Sequence, residues 1–314
     1  MPQDPLKVDQ IQIEPGSNQT LLIQRDATTG SIRLVDAVVT GGLNLVQLAG
    51  LRTIGGILVV GKSGAGAQYT TIQAALNAIP TTSSSTTPYL VLIGPGIYTE
   101  TVTINRDGVI LYGLGGVTIT TAAGAFDTVT VVAGSGTIPL DVVLNNLTIT
   151  NVNDNRACIR FTGGAASTVG SGAWGLQVVG CQVRPLAAGG NRTVWATAVN
   201  KVRIEDCRFV SNLLDLFLVE EVSDLQVLQV PGLGALSWRW DDAQVAKPSA
   251  APVRYVLRDC PNVAESTALA PAALFNLITA GAARVEHCSL PAVQVDGSRT
   301  VAFHNCTMGN LVLN

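Results

Sequence analysis

The chain has 314 residues, of which 47% are apolar, 13% charged and 32 glycine, with a formal net charge of −3. This composition excludes a disordered polyelectrolyte and supplies enough apolar material for a large core. Without a basic stretch to neutralise a run of phosphates, it also argues against a nucleic-acid partner. Mean hydropathy is +0.36, yet the longest clean apolar run, Ile57–Val60 between glycines, is far shorter than the roughly 18–20 residues of a membrane span. No span is expected, and Met1–Pro5 carries no visible signal-peptide pattern. Aromatics make up only 5%, and the abundance of Val, Thr and Gly reads as β-rich and turn-rich.

Residues 1–55 differ from the rest. Ile11–Ile13, Leu21–Ile23 and Ile32–Val35 read as short strands, joined by turns at Glu14–Asn18 and Ala27–Gly30. Leu43–Leu51 is an apolar stretch, either helix or buried strand. The segment is expected to be a small β unit, or a cap on the domain that begins at residue 56. Gly56–Ser63 matches the spacing of a phosphate-binding loop, but its spacer Ile57–Val60 is a strand sequence, and glycines rather than a helix come after it. Thr70 then predicts a helix N-cap, with Gln73 at the capping-box position, an apolar face of Ile72, Ala75, Leu76 and Ile79, and a stop at Pro80. Pro88–Glu100 reads as a buried strand and a turn.

Beyond residue 109 a pattern recurs: alternating apolar residues, a turn residue, then Cys or Leu. It runs through Val202–Phe209, Leu176–Val183, Tyr255–Cys260, Ala283–Cys288 and Val301–Cys306. Cysteine-free copies are Val109–Leu114, Val142–Ile149 and Val222–Val227. The aligned ladder is Leu114, Leu147, Cys181, Cys207, Leu225, Cys260, Cys288 and Cys306, at intervals of 33, 34, 26, 18, 35, 28 and 18 residues. Gly113, Asn146, Gly180, Asp206, Asp224, Asp259, His287 and Asn305 precede it, and these residue types tolerate a left-handed backbone. Short strands that bend at one place and are separated by loops of varying length describe the coils of a parallel β-helix. The fold class is therefore all-β, a right-handed parallel β-helix with a short capping α-helix and a small N-terminal β segment. Stacking about 4.8 Å apart makes the cysteines an inward ladder of small hydrophobes. Without paired Cys-x-x-Cys spacing they are expected to be free thiols holding no metal. Cys158 lies off the ladder and receives no role.

The run Tyr69–Leu76, followed by Leu90–Glu100 and Val109–Gly115, resembles the first coil of right-handed parallel β-helix proteins of the pectin lyase-like superfamily. Pectin methylesterases and many phage tailspikes begin in this way. The resemblance implies fold rather than activity. Pectin methylesterases carry a Gln-Asp pair, an Asp-Phe pair and an Arg from a Gly-Arg-Pro-Trp loop. Here Phe126-Asp127-Thr128 lacks the Gln, and Asp215-Leu216-Phe217 has the wrong arrangement, so esterase activity is not expected.

Other chemistry is weighed residue by residue. Asp206 and Asp224 fall at equivalent places on neighbouring coils, as a glycosidase pair would, but the shared place is the bend, which itself favours Asp. Ser237–Asp242 sets Trp238, Arg239 and Trp240 beside Asp241 and Asp242, read as a long loop. Its tryptophans suit a sugar ring or a subunit contact, and the two aspartates suit acid/base work. His287 and His304 are the only histidines, and both read as structural. Asn18, Asn146, Asn191 and Asn305 head glycosylation sequons of little weight. No cofactor is expected. Two functions remain open. The first is a non-enzymatic structural protein of a phage virion, a capsid decoration or tail-associated spike, attached to other virion proteins through residues 1–55 and trimeric. The second is a spike that binds or degrades a surface polysaccharide.

Overall fold

The computed structural model describes residues 10–13, 21–25, 32–36, 54–62, 66–132, 141–154, 156–162, 175–186, 192–210, 217–230, 232–233, 238–241, 253–260, 275–276, 281–296 and 300–313. The chain divides into two compact units, residues 1–54 and 55–314. In the first, Gln10–Ile13, Leu21–Arg25 and Ile32–Asp36 form an antiparallel three-stranded sheet in chain order. The apolar stretch Leu43–Leu51 lies outside the described residues.

The second unit is a parallel β-helix. Among the described residues its strands pair in parallel, each bonded to its counterpart one coil away. The reason lies in the alternation: with side chains pointing to opposite faces at every step, a strand such as Val142–Asn145 buries Val142 and Leu144, while Val143 and Asn145 stay half-exposed. One inward row runs in register through Val91, Leu111, Leu144, Val178, Ile204, Val227, Leu257 and Val285, each at most 1% exposed. A second face stacks Tyr98, Ile119, Ile149, Val183 and Phe209, and a third stacks Val102, Val129, Ile159 and Val194; all nine are fully buried. The first and third faces join into one sheet because Arg192–Glu205 and Phe217–Leu228 run from one face into the next without a break.

A six-residue helix, Ile72–Asn77, packs over the first coils with Ile72, Ala75 and Leu76 buried. Its N-cap is Thr71, whose Oγ1 accepts from Ala74 N at 3.2 Å, one residue later than Thr70. Gln73 closes no capping box either. Its Oε1 accepts from Thr103 N at 2.7 Å and its Nε2 donates to Thr103 O at 3.2 Å, so the amide continues the strand ladder of Val102–Ile104 sideways into the helix. The open amides of the helix are met by Glu100, whose two oxygens accept from Ile72 N at 2.9 Å and Gln73 N at 3.0 Å. A carboxylate suits that end of a helix electrically as well as geometrically. Glu100→Ala is expected to lower stability by about 1–3 kcal/mol, and Glu100→Gln by less. Thermal melts check this, and equal, negligible shifts in both variants would show that the helix is held by packing alone.

Gly56–Val60 forms a strand that pairs with Tyr89–Ile93, so the phosphate-loop spacing is a strand as expected. Lys62 lies over the Tyr98 ring, 4.6 Å from its centroid, and Tyr98 Oη donates to Gly94 O at 2.9 Å.

Candidate functional site

The bends form the first corner of each coil. Asn146, Gly180, Asp206, Asp259, His287 and Asn305 have φ between 51° and 59°, the left-handed region. Two expectations fail there. Gly113 is not among the left-handed residues, and that coil turns instead at Gly115 and Gly116, with φ of 98° and 61°. Asp224 is not at the bend. The strand Phe217–Leu228 pairs Leu225 with Val202 and Leu228 with Glu205, which sets Gln229, φ 52°, opposite Asp206. The ladder position is therefore Val230, 1% exposed, and not Leu225. Asp224 lies in register with Lys201 and Arg254, a row of alternating charge, and the carboxylate pair Asp206–Asp224 does not exist.

The corrected ladder of Leu147, Cys181, Cys207, Val230, Cys260 and Cys288 is at most 3% exposed, with Leu114 and Cys306 half-buried near its ends. All six cysteines are free. Each ladder thiol reaches the carbonyl two residues back, as Cys207 Sγ does to Glu205 O at 3.2 Å and Cys288 Sγ to Glu286 O at 3.1 Å. Each also approaches a carbonyl of the preceding coil, Val178 O at 3.4 Å for Cys207 and Leu257 O at 3.8 Å for Cys288. A thiol thus fills the volume of a small hydrophobe while offering a weak donor to carbonyls at the bend. Burial pushes the Cys207 and Cys158 thiols well up. Cys260 is also raised, by its hydrogen bond with Cys288 and then by burial. Buried in the interior, Cys158, Cys207 and Cys260 serve as packing groups. Cys158, fully buried, sits between Ala157 and Ile159 on the third face.

On the outside of the first corner, His287 Nδ1 lies 3.0 Å from Asp259 Oδ1, and Asn305 Nδ2 lies 3.3 Å from His287 Nε2. The partners fix the roles: Nδ1–H donates to the carboxylate, and Nε2 accepts from the amide. Both ring nitrogens are committed to side chains stacked one coil above and below. His304 is exposed and in register with Glu286.

The second corner holds a buried polar network that sequence reasoning missed. Asn151 Nδ2 donates to Phe126 O at 3.0 Å and Ala157 O at 2.8 Å; Asn153 Nδ2 donates to Thr121 Oγ1 at 3.0 Å, Ala122 O at 3.1 Å and Phe126 O at 3.2 Å. Asp127 accepts from Ala157 N at 2.7 Å and from Arg160 at 3.4 Å, and the Arg160 guanidinium lies 4.3 Å from the Trp195 ring centroid. Asp127 is thus a turn-holding carboxylate, and Arg160 covers a face of the Trp195 ring. The sequence signal was the Asn-x-Asn spacing that begins on the last residue of the strand Thr148–Asn151.

At the third corner, Asp107 Oδ1 accepts from Gly108 N and Asp141 N, both at 2.8 Å. Asp141 Oδ1 is buried without a partner, and a Gln177 hydrogen bond reaches the carboxyl. Burial, and then the nearby Asp107 charge, raise its pKa from 3.8 to about 6. Because the folded value lies above the unfolded one, this group's favourable contribution is complete below about pH 4 and is lost as the pH rises through 6. Asp141→Asn is expected to flatten that part of the stability profile and to raise stability at pH 7 by about 1–3 kcal/mol. Urea midpoints at pH 4 and pH 7 measure it; an identical pH slope in the two proteins would refute the assignment.

Trp238, Arg239, Trp240 and Asp241 lie in a strand and not on a loop. Trp238 pairs with Phe217 and Trp240 with Val219, which in turn pair with the fully buried Val194 and Ala196. Asp241 pairs with Asn276. Asp242, Asp215, Leu216, Asn18 and Asn191 lie outside the described residues.

No protein-family model matches the chain, and no curated protein matches it. Among solved structures it is similar to a pectin methylesterase from carrot, at 14% identity and a TM-score of 0.46, covering 82% of this chain and 88% of that one. It is similar to the pectin methylesterase of Aspergillus niger at 14% identity and a TM-score of 0.45, covering 81% and 86%. Geobacillus virus E2 ORF18 is similar at 14% identity and a TM-score of 0.32, covering 94% of this chain and 68% of that one. The strand register itself defines the chain as an all-β protein of the parallel β-helix class.

Proposed function

We propose that the chain is a non-enzymatic structural protein of a bacteriophage virion, a capsid decoration or tail-associated spike, assembled in the host cytoplasm and trimeric. Residues 1–55 attach it to other virion proteins and the β-helix projects. The observation that carries this reading is the unbroken register of the interior row from Val91 to Val285, together with a separate small antiparallel sheet before it. A column whose coils are bonded along its whole length makes a stiff projection, and a separate unit is free to specialise in attachment. The carboxylates weighed for acid/base work fit the same reading: Asp206 serves a bend, Asp224 stands in register with Lys201 and Arg254 rather than beside it, and Asp241 lies in a strand.

Density-gradient particles of the virus that encodes this chain provide the test. Antibody against the β-helix is expected to detect the chain on particles and to lose it when residues 1–54 are deleted. Its absence from purified particles would overturn the reading. Depolymerisation of capsule or pectin-like polymers by the purified chain, abolished in Asp241→Asn or Asp242→Asn, would establish the polysaccharide-active alternative instead.

A further inference from the structure

Cys260, Cys288 and Cys306 stand in one column on the last three described coils. Leu257 and Val285 are partners in register, as are Glu286 and His304. Cys288 Sγ reaches Leu257 O at 3.8 Å and Cys306 Sγ reaches Val285 O at 3.4 Å, so the two sulfurs hold equivalent places one coil apart. Backbone bonds bracket this pair: His287 N donates to His304 O and Thr307 N to Cys288 O, both at 3.0 Å. A strand spacing of about 4.8 Å falls within the range of about 4.4–6.8 Å between Cα atoms that a disulfide spans.

Access sets the pair apart. Five of the six cysteines are buried, and Cys306 is half-buried. Phe303 on the same coil is half-buried too, where its partner in register, Val285, is fully buried. Among the described residues, Thr300–His304 has a strand partner on one side only, Gly281–Glu286. A half-buried thiol above a buried one gives a small soluble disulfide a point of entry and a second thiol to complete the exchange. Beneath them, the Cys260 thiol donates to Cys288, and this hydrogen bond, against burial, draws the Cys288 thiol below its usual value. The thiolate, which is the attacking form, is thereby favoured at the inner position. Cys181 and Cys207 are stacked in the same manner, with Arg208 N on Cys181 O at 2.8 Å, but both are buried and offer no entry.

We infer that Cys306 and Cys288 form a redox site, which a small soluble disulfide converts to a bond tying the last described coil to the one beneath it. Cys306 gives up its proton and attacks one sulfur of the reagent. The reagent's S–S bond breaks, and its other half leaves as a thiol carrying that proton. Cys288 then loses its own proton and attacks Cys306 Sγ. The mixed S–S bond breaks, and the second half of the reagent leaves as a thiol. Two protein thiols are oxidised to one disulfide, and one reagent disulfide is reduced to two thiols. A reducing cytoplasm keeps the pair open and an oxidising solution closes it. The inference rests on the column alone and stands apart from the virion reading.

Oxidised glutathione, added in excess to the full reduced chain, tests it. Trypsin cleavage after Arg258, Arg284 and Arg299 puts Cys260, Cys288 and Cys306 on three separate peptides. Mass spectrometry of the digest, with free thiols alkylated and no reductant, is expected to show residues 285–299 joined to residues 300–314. Cys158, Cys181, Cys207 and Cys260 are expected as free thiols, and the circular dichroism of the oxidised chain is expected to match that of the reduced one. Cys288→Ser is expected to keep one glutathione on Cys306, because nothing resolves the mixed disulfide. Cys306→Ser is expected to take up none and to form no bond. Glutathione retained on wild-type Cys306 overturns the inference, as does a bond through Cys260, an unreacted Cys306, or loss of the β signal on oxidation. The wild-type digest needs no substitution, so it decides even where Cys288→Ser fails to fold.

Discussion

Leu144→Ala is expected to destabilise the protein by about 2–5 kcal/mol. Leu144 is fully buried and stands in register between Leu111 and Val178. In a column where each coil touches only its neighbours, its truncation opens a void against two coils at once, and no distant element can move in to fill it. Leu144→Met keeps the volume and is expected to cost less than about 1.5 kcal/mol. Urea unfolding followed by circular dichroism measures both, and an unchanged midpoint for the alanine variant would show that this row is not the dry interior.

Gly108→Ala is expected to cost about 3 kcal/mol or more. Gly108 has φ +64°, and a Cβ there would run into the backbone carbonyl of Ser84. Gly108 itself is held in place, because its O accepts from Tyr89 N at 2.7 Å and its N–H donates to Asp107 Oδ1 at 2.8 Å. Gly66 is the control: φ is +107° but its surroundings are open, so Gly66→Ala carries only backbone strain of about 1–2 kcal/mol. Equal midpoint shifts for the two variants would rule out overlap at Ser84 as the cause.

Much of this architecture is legible in the amino-acid order because a parallel β-helix repeats its local rules. The pattern of alternating apolar residues, a left-handed residue and a small inward residue places Asn146, Gly180, Asp206, Asp259, His287 and Asn305 correctly. It fails where the local rule is broken. Gln229 adopts a left-handed backbone although glutamine rarely signals one, so the frame slides back to Asp224-Leu225, which fits the letters but not the register. At Gly113 the letter fits, and yet the chain turns two residues later, at Gly115, where two glycines in succession remove the steric penalty. The candidate site residues were less legible. Trp238 to Asp241 read as a loop because the segment runs on towards Lys247-Pro248-Ser249, although Trp-Arg-Trp-Asp itself alternates as a strand does, and pairing with Phe217–Val219 carries it into the sheet. The polar network of Thr121, Asn151 and Asn153 depends on partners about 30 residues apart, a separation that only the winding of the chain brings into contact.

The variable spacing between ladder residues has a consequence for how such a rod changes size. Because register is set coil by coil while surplus residues leave at the corners, the shaft can lengthen or shorten only in whole steps of about 4.8 Å. Extra sequence at a corner widens it locally without altering its reach. Removal of a whole coil between two equivalent bends would leave the remaining levels facing matched neighbours. Height in this molecule is counted in integers, and girth is free to vary.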